Sequence, residues 1–151
     1  MKKLITLFLP IALLISAAPA AASVPDDITI VSTVSFSEAY GMFDAFGPAV
    51  EAGVICASGE VYDLSNRATG WQNGAFTNLF VHKLFTCADG SGAFEMDLNV
   101  RLDFSTMRTT ATWRVVAGDA DYTRLHGTGK LTGEPVEGGI VDTYTGRLHI
   151  D

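Results

Sequence analysis

The sequence predicts an all-β fold, an antiparallel β-barrel of about eight strands, and three observations lead there. From Phe94 to Phe104 every even position is apolar, and every odd position from Glu95 to Asp103 is polar or charged. That period-two alternation marks a long strand with one buried and one wet face, an antiparallel signature because strands of parallel sheets are usually covered on both faces. Strand-like segments recur at short spacing, split by Gly, Asp and Pro, and no helix-period stretch is long enough to cover a sheet, which leaves a sandwich or a closed barrel. The last strand-like segment, Ile140 to Ile150, runs almost to the C-terminus. Pairing it with the first strand would leave no exposed edge, and this favours the barrel.

The elements follow in order. Met1 to Ala22 places Lys2 and Lys3 before an apolar run and ends in Ala20-Ala21-Ala22, the pattern of a cleaved signal peptide. Residues 1–22 are therefore expected to leave, with 23–151 forming a single barrel domain in the secreted or periplasmic protein. No later apolar stretch is long enough to span a bilayer as a helix. The formal charge is −7 for the whole chain and two units more negative without Lys2 and Lys3. Such an acidic balance argues against nucleic acid, whose binding needs clustered Lys and Arg.

Asp27 to Phe36 reads as the first strand, with Ile28, Ile30, Val34 and Phe36 on one face. Ser37 to Ala52 breaks the strand rhythm and gathers Tyr40, Met42, Phe43 and Phe46, as one helical turn or a folded loop that plugs an open end, or as a mobile lid. Gly53 to Leu64 is the second strand, and Ser65 to Thr77, rich in Gly and Asn, is expected to be a long rim loop. Asn78 to Cys87 and Phe94 to Phe104 form a hairpin around Asp89-Gly90, a dipeptide that supplies the positive backbone angles of a tight turn. An even-length loop there sets Phe85 opposite Phe94, Lys83 opposite Met96, Val81 opposite Leu98 and His82 opposite Asp97. Thr110 to Ala117, Tyr122 to Thr132 and Ile140 to Ile150 complete the set.

Cys56 and Cys87 are the only cysteines, and export makes a disulfide between them the default. If they face each other across an antiparallel pair, the register puts Glu60 opposite Lys83 and Tyr62 opposite Val81. Glu60, Tyr62 and Lys83 then share the face of Met96 and Trp113. If that face is the lumen, these five residues line a ligand site in which an ion pair with a nearby phenol orients a carbonyl or shuttles a proton. The simpler reading is that the Lys83 stem runs to the rim and leaves its charge in water. On the other face His82 and Asp97 suggest general-base chemistry, but no nucleophile stands beside them, and solvated cross-strand pairs explain them more simply. No metal-ligand spacing and no cofactor motif is present.

The segments LFTCADGSGAFEMDLNVRLDF, ATWRVVAGDADYTRLHGTGKLTG and DTYTGRL resemble a group of secreted bacterial proteins that in turn look like the allene oxide cyclase and dirigent-type barrels. The resemblance covers about half of the mature chain and rests on turn glycines and barrel apolars. It implies an eight-stranded, calycin-like antiparallel barrel, often a homo-oligomer, whose apolar lumen holds a small organic ligand. Where such barrels are enzymes they cyclise or orient reactive intermediates without metal or cofactor. No catalytic residue carries over, and Gly118-Asp119-Ala120-Asp121 stands where the family has Gly-Thr-Gly. Three functions follow as expectations: a small apolar molecule bound in the lumen, a cofactor-free isomerase or cyclase, or a filled barrel acting as an interaction module.

Overall fold

The computed structural model describes residues 24–72 and 74–151, so the expected signal peptide lies outside the described residues. Its elements are β1 (Asp26–Ser35), β2 (Tyr40–Phe46), the short helix α1 (Pro48–Glu51), β3 (Ser58–Gln72), β4 (Phe76–Cys87), β5 (Ala93–Asp103), β6 (Thr109–Gly118), a 3-10 turn (Ala120–Tyr122), β7 (Leu125–Val136) and β8 (Gly139–Ile150). The eight strands form one closed barrel in sequence order, each antiparallel to the next. β8 closes it onto β1 from Asp26 opposite Leu148 to Ser35 opposite Gly139, so every strand has two neighbours. Among the described residues no helix is long and apolar enough to cross a membrane.

The hairpin that the alternation defines has the expected register: Phe85 opposite Phe94, Lys83 opposite Met96 and His82 opposite Asp97. Its apolar face points inward. Phe85, Phe94, Met96, Leu98 and Trp113 are all buried.

Two other expectations are corrected. Ser37 to Ala52 does contain the expected helical turn, α1, but it is not a folded loop or a lid: its first part is wall strand β2, and α1 then closes the barrel end where β1 begins and β8 ends. The Ser65 to Thr77 stretch is not a rim loop either. β3 and β4 continue through it as a long hairpin, with irregularities of register between Asp63 and Ser65 and between Ala68 and Gly70.

The two ends differ in how they are filled. At the end of α1, Phe85 stacks on Phe94 with centroids 5.0 Å apart, Phe43 and Tyr144 meet Phe85 edge-on at 5.3 and 5.7 Å, and Tyr122 meets Phe94 at 5.7 Å. Each such contact contributes about 0.5–1.5 kcal/mol beyond area burial. Cys56 and Cys87 are joined by a disulfide, Cα atoms 5.9 Å apart, at this same end. Farther along the lumen the Trp113 indole lies over Gly129 and Gly146 and donates from Nε1 to the Lys130 carbonyl at 2.9 Å. A β-carbon at either glycine would stand about 2.5 Å from the indole ring, so the ring fits only because both positions lack one. Among the described residues the opposite end, where the β1–β2, β5–β6 and β7–β8 turns lie, is open to a cavity.

Candidate functional site

Behind that open end the lumen holds a cavity of about 530 Å³. Its wall is apolar: Val34, Leu79, Val81, Leu98, Val100 and Leu131 border it, with Phe36 and Met107 exposed at its mouth. Lys83, Asp63, Asp142, Thr109 and Asn66 add the polar groups.

The position of each polar group follows from strand parity. Lys83 occupies an inward position of β4 between Val81 and Phe85. Asp142 is in phase with Ile140, Tyr144 and Leu148 on β8, and Ser32 with Ile30 and Val34 on β1. Asp63 faces Lys83 across the β3–β4 ladder, and the irregularity at Leu64 turns the half-exposed Leu64 outward while Asn66 points in again. The Lys83 ammonium donates to Asp63 Oδ1 at 2.6 Å, and Asp142 Oδ2 lies 3.5 Å away. Lys83 is only 4 % exposed, so its charge is compensated inside the barrel and not at a wet rim.

One lysine thus faces two carboxylates. Burial pushes the Asp142 carboxyl above the usual range; Lys83 pulls it back down, while Asp63 pushes it further up. Burial, then the neighbouring Asp142 charge, pushes the Tyr144 phenol well up. Among the described residues no well-formed hydrogen bond reaches Ser32 Oγ, Thr109 Oγ1 or Tyr144 Oη, although Ser32 and Asp142 face the phenol closely enough to influence its ionisation.

Of the five residues the sequence nominates as ligand-binding, Lys83 borders the cavity. Met96 and Trp113 are buried in the lumen packing but do not border it. Glu60 and Tyr62 do not join Lys83 at all. Cys87 pairs with Gly59 and not with Cys56, which precedes β3, so the register differs by three residues from that of directly opposed cysteines and the face inverts. Gly59 permits this, because a β-carbon there would collide with the Thr86 carbonyl and the Phe43 ring. Glu60 instead accepts hydrogen bonds from Tyr62 Oη at 2.8 Å and Tyr40 Oη at 3.3 Å on the outer wall. The sequence reading missed Asp63, Asp142 and Thr109. A carboxylate in phase with the apolar residues of β8 was the available signal for Asp142.

His82 sits between two carboxylates across the β4–β5 ladder. Its Nδ1 meets Asp97 Oδ1 and its Nε2 meets Glu95 Oε2, each at 2.8 Å, so both ring nitrogens are engaged by acceptors. Arg114 reaches Asp97 at 3.0 Å. The Asp97 hydrogen bond is the largest cause that raises the His82 pKa above 6.5, burial opposes it, and Glu95 adds to the rise. A histidine with a raised folded pKa contributes stability that is complete below the unfolded value and lost as pH rises through the folded one. His82→Gln is therefore expected to flatten the fall in urea midpoint on going from below pH 6.5 to above the folded pKa, and an unchanged slope would show that the imidazolium adds nothing.

No known family model matches the chain, and no curated protein matches it in sequence. Among the described residues no group of three His, Cys, Asp or Glu side chains could hold a metal ion.

Proposed function

We propose that this chain is an exported barrel that binds a small, mainly apolar molecule in its lumen. The observation that carries the reading is the cavity of about 530 Å³, apolar around its wall, sealed at one end and open at the other, with a few convergent polar groups in it. Small-molecule sites have this composition, and their volumes are roughly 300–1,000 Å³. The signal-peptide pattern and the disulfide favour export. The resemblance to allene oxide cyclase and dirigent-type barrels favours the same kind of ligand. A filled barrel acting only through its surface fits poorly with a cavity of this size.

A cofactor-free isomerase is the second reading, favoured by a buried carboxyl of raised pKa beside the cavity. It would use Asp142 and Lys83 in place of the Glu60, Tyr62 and Lys83 set. Retained binding with lost turnover in Asp142→Asn would favour the isomerase over the carrier.

The binding reading is tested with the neutral fluorescent probe N-phenylnaphthylamine. The protein should take up one molecule per chain with a blue-shifted emission. Leu102→Trp, which places an indole at the partly exposed mouth of the cavity, should weaken uptake by at least about tenfold, the effect of losing roughly 1.4 kcal/mol of contact. Equal uptake by the variant would place the probe elsewhere.

A further inference from the structure

We infer that the lumen selects apolar molecules ending in a hydroxyl group and discriminates against carboxylates. This rests on the lumen-binding reading and specifies the head group.

Thr109, Gly133 and Asp142 lie side by side across β6, β7 and β8. A β-carbon at Gly133 would collide with both Thr109 Oγ1 and Asp142 Oδ1, so glycine leaves these two oxygens facing a common gap. Thr109 is 9 % exposed, its hydroxyl has no hydrogen-bond partner among the described residues, and both it and Asp142 border the cavity. A buried hydroxyl without a partner is unusual enough to call for a ligand or an ordered water.

The charges decide what kind of head fits. Lys83 is committed to Asp63 at 2.6 Å and stands 3.5 Å from Asp142 Oδ2; the Tyr144 phenol also lies close to the Asp142 carboxyl, and Oδ1, on the Gly133 side, has lone pairs enough to accept from a ligand as well. Thr109 can donate its own proton. A hydroxyl head matches both at once, donating to Asp142 and accepting from Thr109. A carboxylate head has no proton to donate and brings a third anionic group to a site whose single ammonium already serves two carboxylates. A phenol and an aliphatic alcohol satisfy the same geometry.

The test is displacement of N-phenylnaphthylamine by three molecules of one chain length: decanol, decylamine and decanoate. Decanol should bind at least about tenfold more tightly than decanoate, the size expected for one hydrogen bond to a charged group. Thr109→Val removes a hydroxyl that has no partner among the described residues, so it should fold with at least wild-type stability while decanol affinity falls severalfold relative to probe affinity measured on the same variant. Decanoate binding as tightly as decanol would overturn the inference, and so would decylamine binding more tightly, because the site would then read charge. Failure of the probe itself to bind would overturn the lumen reading beneath it, an outcome distinct from either of these.

Discussion

Replacing Lys83 by methionine is expected to destabilise the barrel by about 3–5 kcal/mol at neutral pH, the usual effect of removing one partner of a buried ion pair. Among the described residues the ammonium is the only cation within bonding range of two carboxylates inside the wall, Asp63 at 2.6 Å and Asp142 at 3.5 Å. Methionine keeps most of the volume, so the loss would be electrostatic and not a cavity effect. The pH dependence provides the control. Asp142 already titrates above its ordinary value, chiefly through burial, and loses its main downward influence when Lys83 goes. A carboxyl whose folded pKa exceeds its unfolded value binds more protons folded than unfolded between the two, so stability falls as pH rises through that window. The variant should therefore recover part of its stability as pH is lowered toward the ordinary carboxylate range. Adding Asp142→Asn should recover part of it at neutral pH. Urea unfolding of the three proteins measures this, and a loss below about 1 kcal/mol in Lys83→Met would mean that water reaches the cluster and screens it.

The second large effect is that of the disulfide. Cys56 and Cys87 are 31 residues apart in sequence, and a bridge closing a loop of that size stabilises by roughly 3–4 kcal/mol in the chain-entropy account. It also fastens the segment between α1 and β3 to the end of β4, beside Tyr122, whose hydroxyl lies 3.4 Å from the Cys87 sulfur. Reduction, or the double substitution Cys56→Ser with Cys87→Ser, should lower the free energy of unfolding by that amount, and a midpoint unchanged under reducing conditions would contradict it. The open end is remote from the bridge. Probe uptake should therefore survive reduction as long as the protein remains folded.

How much of this was legible in the sequence depended on how strictly each strand alternates. β4 and β5 could be registered residue by residue, because Phe94 to Phe104 never breaks period and Asp89-Gly90 fixes the parity of the turn. β2 was hidden because its pattern is inverted: Gly41, Phe43 and Ala45 face inward, two of them small, while Tyr40, Met42 and Phe46 face outward. β3 was cut short for a different reason. Its irregularities of register break the period, and beyond Leu64 it carries Ser, Asn, Arg, Thr and Gly, which read as loop. Half of the site was lost with that register. Directly opposed cysteines would have put Glu60 against Lys83, whereas the bridge reaches Cys87 from outside the ladder and the lysine faces Asp63. Asp142, Thr109 and Ser32 were visible as polar residues in apolar phase, a pattern that marks either a bulge or a polar group held inside a barrel.

Binding of a small molecule in the lumen is tested most directly by chemical-shift mapping. On titration with N-phenylnaphthylamine, the methyl signals of Val81, Leu98, Val100 and Leu131, which border the cavity, should move together and saturate at one equivalent. Signals from the sealed end, such as those of Ala49 and Ile55, should move little. Shifts confined to the outer wall around Tyr40, Met42 and Tyr62, or no shifts at all, would contradict the account.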